Sequence, residues 1–355
     1  MKKSGKFGII KLLCLCFVVA IVSAVPTLAT LQNKRGGLED NLKGNTSEFQ
    51  GVLTIWNVDS FESGSQSKTV FLEEASRRFS SDNKGLYFLI ENLSVEEMMQ
   101  NFMNEIFPDI ISFGMGVGKV VLPILENLNG LNVNAVRKEV LDSGINSDNL
   151  MALGYLMGGY ILASTNEKLA TAGVGGEVKL TTVLNTAGFD TETKKGTKHT
   201  SSVVVGENSY IRPELVSEVA LGLTLEDKFI SPTMFDAYAD FVGYNKGTIL
   251  LGTHRDLFKL SGRIKVGKIS GVKIEYINSY TNLIQYVGVV KGADEVRMAL
   301  SKKFVEYLAS NEAQQISTKV GMMNVIGQKF YESGEFQCME EALSGRVIIP
   351  NLFEN

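Results

Sequence analysis

Histidine, cysteine and tryptophan are scarce in this chain, with two, three and one in 355 residues. Each scarcity excludes a kind of chemistry. The histidines, His199 and His254, stand far apart, and neither has a cysteine nearby. A His/Cys cluster of the sort that holds zinc is therefore not expected. A Ser-His-Asp triad would have to use one of the two, and no serine sits in the glycine-flanked nucleophile-elbow pattern. Cys14 and Cys16 fall in an apolar N-terminal segment and Cys338 stands alone, so a cleaved chain has no disulfide framework. An excess of basic charge is missing too. The formal net charge is −4, which argues against a nucleic-acid partner, because phosphate binding needs a basic patch. No cofactor and no metal are expected.

What is present is ordinary globular material, 44% hydrophobic and 21% charged. The length suits two domains, each large enough to bury a core of its own. Lys2, Lys3 and Lys6 precede an apolar run from Leu12 to Val22. Val22-Ser23-Ala24 and Thr27-Leu28-Ala29 are small-residue cleavage candidates, so 1–29 reads as a signal peptide. The alternative is an uncleaved anchor, since the apolar stretch from Leu12 to Leu31 nearly reaches bilayer-spanning length. Cys14 and Cys16 follow leucines rather than small residues, which rejects a lipid-anchor reading. Either way, the body of the protein is expected outside the cytoplasm. Residues 30–50 are polar, with Gly36-Gly37, and read as a flexible linker.

Order is expected from Gly51. Val52 to Trp56 is a short buried-strand pattern, Lys68 to Phe79 an amphipathic helix, and Leu86 to Ile90 a second strand. Ser94 with Glu97 three residues on predicts a capping box, followed by apolar Met98, Phe102 and Ile106. Asp109 to Phe113 is a third strand that breaks at Gly114. This alternation predicts βαβ units and a parallel sheet with the carboxyl ends of its strands on one rim. Ile161 to Ser164, Ser202 to Val205, Thr248 to Leu251, Val272 to Tyr276 and Ile284 to Val290 read as further strands. Phe235 to Val242 reads as helix, and Val296, Leu300, Phe304 and Leu308 mark another. Gly114-Met115-Gly116-Val117-Gly118-Lys119 superficially suggests a nucleotide loop. It fails both the P-loop spacing and the dinucleotide fingerprint.

In their order and spacing, these segments resemble the extracellular solute-binding proteins of ABC transporters, the cluster that includes maltose-binding protein. The residues that carry the resemblance are a first strand ending in Ile55-Trp56, the Pro108-Asp109-Ile110-Ile111 strand, and Ile161 to Leu169 as a crossing strand with polar follow-on. They continue with Phe241 to Gly252, and with Phe304 to Leu308 followed by Glu312-Ala313-Gln314-Gln315. The resemblance covers most of the chain from Gly51. It implies an α/β, two-lobe periplasmic-binding-protein fold in which each lobe is a mainly parallel sheet flanked by helices. Lobe I would span 51–157 plus 286–322 and lobe II 158–285 plus 323–355. The lobes would be joined by strands crossing near Leu156–Ile161, Tyr280–Val287 and Gly321–Val325, and would close by hinge bending on a ligand between them.

Ligands of open α/β sheets bind outside the carboxyl ends of the strands. The candidate ligand-binding residues are accordingly Trp56, Asn57, Asp59, Phe61, Phe113, Gly114, Tyr160, Thr253, Arg255 and Tyr286. An indole face can stack on a sugar ring, carboxylates and amides can bond hydroxyls, and glycine lets a ligand approach the backbone. Arg255 could bind a carboxylate, phosphate or hydroxyl, or simply pair with Asp256 or across the lobes. Tyr155, Tyr160, Tyr280 and Tyr286 cluster at the inferred crossings. The expected function is the solute-binding component of an ABC import system. It would act as a monomer, carry a small polar ligand, a sugar by resemblance, and hand it to membrane permease subunits. A secreted hydrolase using Asp59 with Glu62 or Asp256, and a sensing subunit for a membrane receptor, are the alternatives.

Overall fold

The computed structural model describes residues 49–174, 179–187, 203–221, 228–244, 246–292, 294–332 and 334–354. The N-terminal segment expected to be a signal or anchor, the linker up to residue 48, and His199 lie outside them.

The first part of the chain alternates as expected: β1 (Gly51–Val58), α1 (Lys68–Asp82), β2 (Leu86–Leu93), α2 (Val95–Met103) and β3 (Ile110–Gly114). Local chemistry sets the helix starts. Ser67 caps α1 by accepting from the Thr69 N–H. Ser94 and Glu97 form the reciprocal capping box of α2, with bonds of 3.1 and 2.7 Å. α2 is shorter than its apolar pattern suggests. It stops at Met103, Glu105 takes a left-handed φ of 56°, and Ile106 lies past the helix and 53% exposed. An apolar period therefore continued in sequence where the backbone had already turned away.

Next come β4 (Leu153–Met157), β5 (Tyr160–Thr165), β6 (Val203–Gly206), β7 (Lys228–Ser231), α3 (Met234–Val242), β8 (Ile249–Thr253), α4 (His254–Lys265), β9 (Val272–Ile277), β10 (Ile284–Val289), α5 (Glu295–Leu308) and α6 (Glu335–Ala342). One sheet runs in the order β2-β1-β3-β10-β4 and the other in the order β9-β5-β8-β6-β7. β1, β2 and β3 are parallel, and β10 runs antiparallel between β3 and β4. In the second sheet β6, β7 and β8 are parallel, and β5 opposes both β8 and β9. β3, β4, β8 and β10 are buried along their whole lengths, so they read as unbroken apolar runs rather than alternating ones. Phe71, Leu72 and Ala75 of α1 and Leu300, Phe304 and Leu308 of α5 are buried. Each such large apolar side chain contributes about 1.5–3 kcal/mol.

The chain passes from the first sheet to the second between Met157 and Tyr160, and returns between Ile277 and Ile284. Met323 then pairs with Met157 through two backbone bonds, of 3.0 and 2.7 Å, before α6 packs on α4 and β9. Gly158 at the first passage has no room for a side chain, because a Cβ there would lie 2.4 Å from the His254 ring.

Candidate functional site

The pairing directions aim both sheets at one place. Val58, Gly114 and Met157 end strands on one rim of the first sheet, while Gly206, Ser231 and Thr253 end strands on one rim of the second. The residues just past these ends enclose a cavity of about 480 Å³. Asp59, Ser60, Phe61 and Glu62 follow β1 and supply one wall. Glu207, Asn208 and Ile211 follow β6, Thr233, Met234 and Phe235 follow β7, and Thr253 and Arg255 close β8 and open α4. Leu283 precedes β10.

Arg255 is the one cation among the described residues lining this cavity, and it is already engaged. Its Nη1 donates to Asp256 at 2.8 Å, its Nε pairs with Glu62 from the other wall, and its guanidinium lies 5.3 Å over the Phe235 ring. Asp256 is buried and also accepts from the Thr253 N–H at 2.9 Å, as the far partner of a capping box. Burial pushes its carboxyl above the ordinary range, against the pull of Arg255. Thr253 and Thr233 spend their hydroxyls capping α4 and α3. Asn208 donates to the Ser60 carbonyl at 3.0 Å across the cavity and accepts from the N–H groups of Tyr210 and Ile211. The groups still facing the space are therefore mainly carboxylates and one aromatic face. Glu62 is 63% exposed, Glu207 is exposed, and the Phe235 ring is 57% exposed.

Of the residues proposed from sequence, Asp59, Phe61, Thr253 and Arg255 line the cavity. The others are placed in the packed interior. Trp56 is buried, donates its indole N–H to Glu91 at 2.8 Å and stacks on Phe102 with ring centroids 5.9 Å apart. Its position two residues before the strand end leaves it on a helix-covered face. Asn57 is buried and bonded to Thr69, Asn92, Ser112 and Asp59. Phe113 stacks on Tyr286, whose hydroxyl meets Ser143 at 2.8 Å. Tyr160 is buried with its hydroxyl on Asn282 at 2.7 Å. Gly114 makes space for protein rather than ligand, since a Cβ there would lie 2.0 Å from Ser60 Oγ.

Sequence reading missed Glu207, Asn208, Thr233, Met234 and Phe235 as lining residues. The same signal that found Asp59 was available for them, because each follows a short apolar strand. β6 is expected from sequence as Ser202 to Val205, whereas β7, with only four residues, is not.

No family model matches the chain, and no curated protein matches it in sequence. Solved structures do match in fold. The GacH receptor of Streptomyces glaucescens, known unliganded and with acarbose, aligns over 87% of this chain and 90% of its own, with 13% identity and a TM-score of 0.60. The sugar-binding protein MalE of Xanthomonas citri aligns over 84% and 87%, with 12% identity and a TM-score of 0.57. An ABC substrate-binding protein of Listeria monocytogenes, in complex with cycloalternan, aligns over 85% and 88%, with 12% identity and a TM-score of 0.53. The chain thus has the two-lobe α/β fold expected from its segment order.

Proposed function

We propose that the protein is the extracytoplasmic solute-binding component of an ABC import system. It captures a neutral, hydroxyl-rich solute of the sugar class in the cavity where the two sheet rims meet. One observation carries this reading: both lobes deliver hydrogen-bond acceptors to a single cavity beside an exposed phenyl face. Carboxylates accept from sugar hydroxyls, and an aromatic ring covers the apolar face of a pyranose. An anionic solute is disfavoured, because Arg255 is already neutralised by Asp256 and Glu62 and the remaining charge of the lining is negative.

The fold neighbours are described as binding proteins for acarbose, sugars and cycloalternan, which fits a binder rather than an enzyme. In this reading the lobes follow those delimited from sequence, except that Ile284 and Gln285 belong with the first sheet as the start of β10, and residues 158–159, 278–283 and 321–325 are the passages about which they move. Ligand contacts with both walls favour the closed state, and the closed shape is handed as a monomer to the membrane permease. Among the described residues no helix is long and apolar enough to cross a membrane. The body would be held outside the cytoplasm by its exported N-terminal segment.

A thermal-shift and calorimetric screen tests this. Neutral oligosaccharides such as maltotriose should stabilise the fold by mass action, by about 2.7 kcal/mol at a hundred times Kd, and so raise the melting temperature, and sugar phosphates should not. Phe235→Ala should weaken binding by about tenfold or more while leaving the melting temperature of the free protein unchanged. Turnover of the glycans at enzymatic rates, or a preference for anions, would remove this reading.

A further inference from the structure

We infer that Lys68 is a positioning residue that holds the 59–62 wall of the cavity in its ligand-receiving shape. This inference rests on the reading of the cavity just given. Lys68 is the first residue of α1 and is only 1% exposed. Its ammonium donates to the Phe61 carbonyl, stands 3.2 Å from Asp59 and sits 3.8 Å over the Phe61 ring. One side chain thus grips two of the four residues of that wall by three kinds of contact.

As a stabilising residue, Lys68 is badly placed. A cation at a helix N-terminus opposes the macrodipole, and the first turn of α1 has no acidic residue to offset it. Burial lowers its pKa, so keeping it charged costs free energy that Asp59 only partly returns. Methionine would fill the same volume without that cost. A buried charge kept where it opposes stability is the pattern of a residue retained for function.

Other contacts do not replace it. Ser60 is held by Asn208, Glu62 by Arg255, and the Phe61 ring meets His254 edge-on, but all three partners belong to the second sheet's side and require the walls to be together. The far end of the loop is tied separately. Ser65 donates its N–H to the Val320 carbonyl at 3.1 Å and its hydroxyl to the Lys319 carbonyl at 2.7 Å. On its own side, among the described residues, the polar contacts of the near end are those of Lys68 and a 3.3 Å bond from Asn57 to Asp59, beside packing of Ser60 and Phe61 against Gly114.

The experiment compares the parent with Lys68→Met and Lys68→Arg. Hydrogen exchange of the 59–62 amides, without any added solute, is the first readout, and affinity for maltotriose, cellotriose and xylotriose the second. In Lys68→Met the melting temperature should hold or rise. The 59–62 amides should exchange about tenfold faster while those of 65–66 stay as they were. Affinity for whichever trisaccharide the parent binds should fall about tenfold or more. Lys68→Arg, which keeps a donor and a charge, should recover part of both losses. Parent-like exchange in Lys68→Met overturns the inference, as does a lowered melting temperature with affinity intact. If the parent binds none of the three sugars, the sugar reading fails, and the exchange comparison still decides the role of Lys68.

Discussion

Two polar clusters lie within a few residues of each other at the rim of the first sheet, and they have opposite fates. Asn57 is still inside the sheet, in register with Asn92 on β2 and Ser112 on β3. Asp59 is past the last pairing and faces the cavity. The first cluster is bonded mainly within itself, with one 3.3 Å bond from Asn57 reaching Asp59. Ser112 donates to Asn57 Oδ1 at 3.0 Å and accepts from Gln285 Nε2 at 2.9 Å. Its one hydrogen being used, the 2.9 Å contact with the Tyr155 hydroxyl must be donated by the tyrosine. Burial raises the phenol's pKa and keeps that proton in place. In the second cluster the Asp59 carboxylate pairs with Lys68 and that of Glu62 with Arg255, but both stay partly open to the cavity. A polar residue at a strand end therefore serves structure before the final pairing and lines the cavity after it.

Trp56 gives the largest expected effect along this divide. It belongs with the closed cluster's side of the boundary, buried against Phe102. Trp56→Ala should cost about 3–5 kcal/mol of stability through the cavity it leaves. The folded fraction should still bind whatever solute the parent binds, as calorimetry below the melting point would show. Lost affinity at full stability would move Trp56 to the ligand side.

Asn57→Leu is the next test. It fills a similar volume but removes the acceptor for the buried Ser112 hydroxyl and one of the donors to Asn92 and Thr69, each of which keeps another. A buried group stranded in this way costs about 1–3 kcal/mol, so urea unfolding should show a loss of that order, with the effect on affinity much smaller than that of Phe235→Ala. Equal effects of the two substitutions on affinity would erase the distinction between the clusters.

That distinction also explains what the sequence could and could not convey. Periodicity and caps are local, so β1 to β3, the Ser94–Glu97 box and α5 were legible from neighbouring residues. Asp59 and Arg255, each just beyond an apolar strand, do lie in the cavity lining. Trp56, Asn57, Phe113, Tyr160 and Tyr286 look the same in sequence, but pairing and helix cover decide their fate, and these depend on partners tens of residues away. The α4 helix is not expected from sequence, although Thr253 and Asp256 form its capping box. The same chemistry explains why Arg255 was legible as a candidate while its occupation by Glu62, 193 positions earlier by number, was only one of several options.

His254 is where the closed interior touches the cavity wall, and it supplies the smallest and most specific test. Its ring is buried, 6.1 Å from the Phe61 ring and edge-on to it. Burial first, and then the neighbouring Lys68 charge, depress its pKa from 6.5 to about 3. The folded protein therefore binds fewer protons at this site than the unfolded chain between those two values. Stability from neutral His254 is complete above pH 6.5 and drains away as pH falls toward 3. At one unit below 6.5 the loss is about 1.4 kcal/mol. Asp256 works in the opposite sense, since burial raises its pKa and favours the folded state as it takes up a proton. Comparing the parent with His254→Gln cancels that background. The parent's unfolding free energy should fall more steeply between pH 6.5 and 5 than the variant's, because only the parent must keep an imidazole neutral beneath the wall that Lys68 supports. Parallel curves would mean that the ring reaches water from the cavity and belongs to the open cluster rather than the closed one.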